Sequence, residues 1–265
     1  MKTLALITSA LLIAGVLSAQ QLHEGNLIGT HIVKVNLAPG VTMDQFVQAW
    51  TTKAIPAYNE NYPGWKMYAM KSRRGTVPEN SLGLLFIIDS EQTRDKYYNP
   101  DGTLTDLAKA AEARLKPVLD EMDKLGTSET TYTDWVVTAK EDQLSRHNLE
   151  KGNLIGTHTI KVDLKPGVTD VQYIQALNEK MSPEITKIDP AWHMYPLKKI
   201  RGDAAENYSL LYIVDSEKER DKFYNADGSP TKEAENFGLK IQNSNDEINK
   251  LGTQNSVAWA DWIIL

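Results

Sequence analysis

From Leu27 to Leu37 apolar and polar residues alternate, so that Leu27, Gly29, His31, Val33, Val35 and Leu37 fall on one side of an extended chain and Ile28, Thr30, Ile32, Lys34 and Asn36 on the other. A period of two with β-branched residues predicts a strand. Its greasier His31 side should meet helices, and Pro39-Gly40 turns the chain away. The period then changes. Val47, Trp50, Ala54 and Tyr58 recur on one helical face, behind a Thr42-x-x-Gln45 spacing in which each side chain can satisfy the other's orphan backbone donor. Pro56 comes late in this helix, where its ring and missing N–H predict a kink or an end. Strands follow at 65–71 and 82–88. A helical region starts at Ser90, breaks at 99–102, and resumes from Thr105 with Leu107, Ala108, Ala111, Leu115, Val118, Leu119 and Met122 at helical spacing, until Gly126 stops it. A last strand is predicted at 131–137.

The whole pattern then repeats. Gly25-Asn-Leu-Ile-Gly-Thr-His31 returns 127 residues later as Gly152-Asn-Leu-Ile-Gly-Thr-His158. Trp65, Met67-Tyr68, Arg74-Gly75, Arg94-Asp95-Lys96 and Asp134-Trp135 match Trp192, Met194-Tyr195, Arg201-Gly202, Arg220-Asp221-Lys222 and Asp261-Trp262. The chain is therefore read as two copies of one unit, 25–137 and 152–264, joined by a polar linker at 138–151. Each copy gives the order β-α-β-β-α-β, the split βαβ arrangement of ferredoxin-like α+β folds, with an antiparallel sheet covered by helices on one face. The other face needs cover, and the tandem copy supplies it.

Composition narrows the chemistry. The 35 acidic and 29 basic residues give a net charge of −6 over 265 residues, and no basic stripe offers to neutralise a run of phosphates, so no nucleic-acid partner is expected. The absence of cysteine excludes disulfides, thiolate nucleophiles, Cys-ligated zinc and iron–sulfur clusters. Lys2, the apolar run to Leu17 and the small residues Ser18-Ala19 have the layout of a secretory signal peptide at 1–19. Cleavage there would leave an exported chain, periplasmic or secreted, with no stable membrane insertion.

Element order and duplication together resemble the dimeric α/β-barrel superfamily, in which two such units join their sheets. The resemblance implies an intrachain pseudo-dimeric α/β barrel. It also implies a range of activities: cofactor-free monooxygenases, muconolactone isomerase-like enzymes, haem-degrading and chlorite dismutase-like proteins, and small stress-response proteins. Haem-degrading members use an Asn, a Trp and a His. Here the region after the third strand of each copy offers Tyr97, Tyr98, Phe223 and Tyr224 in place of a histidine, and His193 is replaced by Lys66 in the first copy. No cofactor is expected.

His31 and His158 are the candidate catalytic residues, each two residues after a glycine that leaves room beside the ring. Trp65, Tyr68, Tyr98, Trp192, Tyr195 and Tyr224 could seat a flat apolar ligand, and Arg74 and Arg201 could clamp an anion or pair with Asp89 and Asp215. The five histidines show no metal-ligand spacing, so no metal site is expected. The reading is an exported small-molecule-binding protein for an apolar or aromatic ligand. Its alternatives are a cofactor-independent oxygenase or isomerase working through His31 and His158, and a non-catalytic protein-interaction module.

Overall fold

A computed structural model describes residues 22–78, 80–139, 149–225 and 227–265. The signal segment expected at 1–19 and most of the expected linker, 140–148, lie outside the described residues. Eight strands, β1 (Leu27–Leu37), β2 (Trp65–Gly75), β3 (Ser81–Ile88), β4 (Gly126–Val137), β5 (Leu154–Leu164), β6 (Trp192–Gly202), β7 (Tyr208–Val214) and β8 (Gly252–Ile264), close into an antiparallel barrel in the order β1-β3-β2-β8-β5-β7-β6-β4. Within each half the four strands pair among themselves. Between halves the ring is closed by the β2–β8 and β4–β6 ladders.

Alternation decides what the barrel encloses. Ile28, Leu85, Ile87, Trp135, Ile155, Leu211, Ile213 and Trp262 point inward and form one core drawn from both halves. The opposite strand faces carry the helices. In the first half Val33, Val35, Leu84 and Phe86 meet Phe46 and Ile55; in the second Ile160, Met194, Tyr208 and Leu210 meet Tyr173, Leu177, Met181 and Ile185. The side of β1 bearing His31 thus faces the helices, as its apolar pattern requires.

The first helical stretch of each half is capped reciprocally by Thr42 with Gln45 and by Thr169 with Gln172. α1 (Met43–Ala49) runs through a π turn at Trp50–Ala54 into α2 (Ile55–Asn61), and α5 (Asp170–Ala176) runs through Leu177–Met181 into α6 (Ser182–Ile188). The helices continue past Pro56, where a kink or an end was expected, and past its counterpart Pro183. Each sits just after a widened turn, which makes room for a ring that would strike a carbonyl in a regular α-helix. Beyond β3 lie α3 (Glu91–Asp95) and the long α4 (Asp106–Asp123); beyond β7 lie α7 (Glu217–Arg220), α8 (Lys232–Lys240) and α9 (Gln242–Asn249). Leu107, expected on the buried face of α4, is 48% exposed near its first turn.

The seams between halves depend on two glycines. Gly75 (φ 115°) and Gly202 (φ 109°) lie in backbone regions that L side chains rarely adopt, and an added Cβ would stand 2.2 Å from the Trp259 carbonyl oxygen or 2.4 Å from that of Tyr132. Strain and clash act together, so Gly75→Ala and Gly202→Ala should each cost more than about 1 kcal/mol. A lowered urea midpoint with an unchanged m-value would show it.

Candidate functional site

A cavity of about 530 Å³ lies in the second half, between the outer face of the sheet and the helices. Its floor includes Gly156, His158, Met194, Leu210 and Tyr212, its helical wall Leu177, Met181, Ile185, Phe237 and Asn245, and one end Arg74, Arg220 and Asp261. The volume is that of a small-molecule site and the wall is mainly apolar.

The corresponding place in the first half holds packed aromatic rings. Trp50 and Tyr58 stack at 6.5 Å, Tyr58 and Tyr62 at 5.8 Å, and Tyr62 reaches Tyr97 at 4.8 Å. α4 closes over them as one uninterrupted helix burying Ala108, Ala111, Leu115 and Met122. In the repeat, Trp50, Tyr58 and Tyr62 correspond to Leu177, Ile185 and Asp189, and Leu119 to Asn245. The single helix becomes two, α8 and α9, meeting at Ile241, and α8 fully buries no residue. Smaller side chains below and a broken helix above leave the second half hollow.

This difference sorts the residues singled out from sequence. Arg74, His158, Trp192 and Tyr224 come together around the cavity. His31 instead packs on Phe86 at 4.6 Å and Tyr132 at 5.5 Å. Trp65 and Tyr98 belong to the first half's aromatic packing. Tyr68 and Tyr195 point the other way, into the barrel core, and share no site with Trp65 and Trp192. Arg201 donates to Asp134 at 2.5 Å and lies over the Tyr98 ring at 5.1 Å, while Arg74 pairs with Asp221 at 3.4 Å. The arginines thus reach across the seams to carboxylates of the opposite half, because the barrel closes there; Asp89 and Asp215, the partners expected from sequence, lie within the arginines' own halves. Arg220, Asp261, Tyr212, Phe237 and Trp259 also line the cavity and were not among the candidates. For Tyr212, Phe237 and Trp259 the readable signal was that they differ from Phe86, Ala111 and Tyr132 of the other copy; Arg220 and Asp261 are the same in both copies and gave none.

Both histidines are held neutral. Burial lowers the pKa of His31 from the usual 6.5 to about 4, with Asp134 opposing and Arg201 assisting, and burial lowers that of His158. Burial pushes the Tyr212, Tyr224 and Asp261 groups up. For His31 the linkage has a definite sign: between pH 6.5 and about 4 the unfolded chain binds a proton that the folded ring refuses. Its stabilising contribution is complete above that window and is lost as the pH falls through it. His31→Phe should therefore shrink the drop in urea midpoint between pH 7 and pH 4.5, measured side by side with the unaltered chain.

Among the described residues no group of three His, Asp or Glu is placed to hold a metal ion. No protein-family model and no curated protein matches the chain. Solved structures do. An anthrone oxidase-like protein superposes with a TM-score of 0.50 over 93% of this chain and 94% of its own, at 12% identity. A Fusobacterium nucleatum protein assigned by its name to the monooxygenases superposes with a TM-score of 0.50 over 92% and 94%, at 9% identity. The chain has the dimeric α/β-barrel fold. Such a barrel can carry many chemistries, so function has to come from the cavity and its residues. In this α/β barrel the cavity lies outside the strand ring, under the helices of one half.

Proposed function

We propose that this α/β barrel binds a small apolar or aromatic molecule in the cavity of its second half. In this reading residues 25–137 and 152–264 are ferredoxin-like repeats of an intrachain pseudo-dimer, the first a solid support and the second the receptor. One observation carries it: the same place in the fold is packed with aromatics in one half and left as a cavity of about 530 Å³ with a mainly apolar wall in the other. Random loosening of a core is not selective in this way, since interiors pack to crystal-like density. Trp192 and Trp259 on the wall supply an intrinsic reporter. Titration with N-phenyl-1-naphthylamine, followed by fluorescence and by native mass spectrometry, should give one equivalent bound per chain. Failure to bind this or any of a series of one- to three-ring aromatics would overturn the proposal.

A second reading is favoured by the position of His158. It faces the cavity and packs on Tyr212 at 5.1 Å, and burial keeps the imidazole neutral and able to accept a proton. The barrel would then be a cofactor-independent oxygenase or isomerase in which His158 is the base and His31, lodged against Phe86, is not. Oxygen uptake with phenolic substrates that disappears in His158→Ala and persists in His31→Ala would favour catalysis over simple binding. Export follows from the pattern of residues 1–19, and N-terminal sequencing of the mature protein from the secreted or periplasmic fraction checks it.

A further inference from the structure

The duplication contains an internal control for one residue. Arg94 and Arg220 occupy the same place in the two Arg-Asp-Lys triplets. In the filled half Arg94 is satisfied locally, its Nε and Nη2 donating to Asp95 at 2.9 and 2.7 Å. In the hollow half Arg220 turns inward, is 2% exposed, and lines the cavity. Three carboxylates approach it, Asp221 at 3.3 Å, Asp261 at 3.6 Å and Glu217 at 3.7 Å, yet its Nε and Nη1 make no hydrogen bond. Unsatisfied buried donors are costly, and those of a guanidinium most of all. Donors left open on the wall of an apolar cavity are complementary to an acceptor brought in by a ligand.

The charge on the wall says which kind. Of the described residues lining the cavity, Arg74 and Arg220 are cations and Asp261 is the one carboxylate, while Asp221, paired with both arginines, and Glu217, paired with Arg220, are partly exposed to solvent. Burial raises the pKa of Asp261 and so eases its neutralisation when a second negative charge arrives. The open Nε–H and Nη1–H point along different edges of the Arg220 guanidinium, so an incoming carboxylate meets one open donor at a time, while the positive charge favours an anion.

We infer that the ligand is an amphipathic monoanion, an apolar body with one carboxylate, and that Arg220 selects it by hydrogen-bonding that carboxylate at the end of the cavity it shares with Arg74 and Asp261. This rests on the reading of the cavity as a ligand site. Isothermal titration of the full chain at pH 7.5 with 2-naphthoate, 2-naphthalenemethanol and 2-naphthylmethylammonium holds the ring constant and changes the head group. The acid should bind roughly tenfold or more tightly than the alcohol, the ratio that a charge-assisted hydrogen bond supplies, and the ammonium most weakly. In Arg220→Met the ratio of acid to alcohol should fall to about one. Arg220→Lys, which keeps the charge but removes the Nε and Nη1 donors, should give an intermediate ratio and serves if the methionine variant does not fold. Equal binding of acid and alcohol by the unaltered chain, or a preference undiminished in both variants, overturns the assignment while leaving a binding cavity in place. If none of the three binds while N-phenyl-1-naphthylamine does, the monoanion is wrong; if nothing binds, the cavity reading falls as well.

Discussion

A chain carrying Leu177→Trp, Ile185→Tyr and Asn245→Leu should lose small-molecule binding by roughly a hundredfold or more, about 2.7 kcal/mol. These substitutions move into the second half the residues found at the matching positions of the first, where Trp50 and Tyr58 stack at 6.5 Å beneath an unbroken α4. All three native residues line the cavity, so the added volume enters the space a ligand would take. Overpacking can strain a core, but the first half shows these residues packed together on the matching sheet face, beneath an unbroken helix that carries Ala111 where the second half has Phe237. The variant should therefore unfold at a urea midpoint equal to or above that of the unaltered chain while failing to take up N-phenyl-1-naphthylamine. A filled variant that binds as before would place the ligand elsewhere.

Trp262→Ala should be the most destabilising single change in the barrel interior, at about 3–5 kcal/mol. The side chain is 2% exposed, and its ring occupies the space above Gly83, where even a Cβ would stand 2.7 Å from it. Gly83 lies on β3 of the first half and Trp262 on β8 of the second, so the cavity left by alanine opens in a core common to both. Both halves should lose stability together, in one cooperative urea transition followed equally by fluorescence and circular dichroism. Two separate transitions, with one unmoved by the substitution, would contradict a shared core.

The sequence disclosed most where local chemistry and burial pointed the same way. β1 alternates cleanly because one face meets helices and the other the barrel core, and the Thr42 and Thr169 caps are purely local hydrogen bonds. The early parts of β4 and β8 were less visible. Their residues, such as Thr127, Ser128 and Glu129 or Thr253, Gln254 and Asn255, are polar with no alternation, and ladders to β1 and β5 hold them extended. The passage of the helix through Pro56 was hidden because a π turn precedes the proline; Ala54 of the expected stripe is fully buried, and Phe46 and Ile55 beside the stripe are buried as well. The candidate site was half legible. Spacing alone put Tyr68 and Trp65 on opposite faces, but which half was hollow depended on Ile185, Asp189 and Asn245 being smaller or more polar than their counterparts. A comparison that stresses what two copies share passes over such positions. The partners of Arg74 and Arg201 could not be read at all, since Asp221 and Asp134 become neighbours only through closure across the seams.

That closure has a consequence for the protein's behaviour in concentrated solution. Among the described residues every strand in the ring has hydrogen-bonded neighbours on both sides over part of its length, which confines open strand edge to the stretches of β2, β4, β6 and β8 beyond the two seams. Extended self-association through backbone pairing would require a seam, β2–β8 or β4–β6, to part further. The propensity to aggregate should accordingly track how often those ladders open, rather than the hydrophobicity of the folded surface.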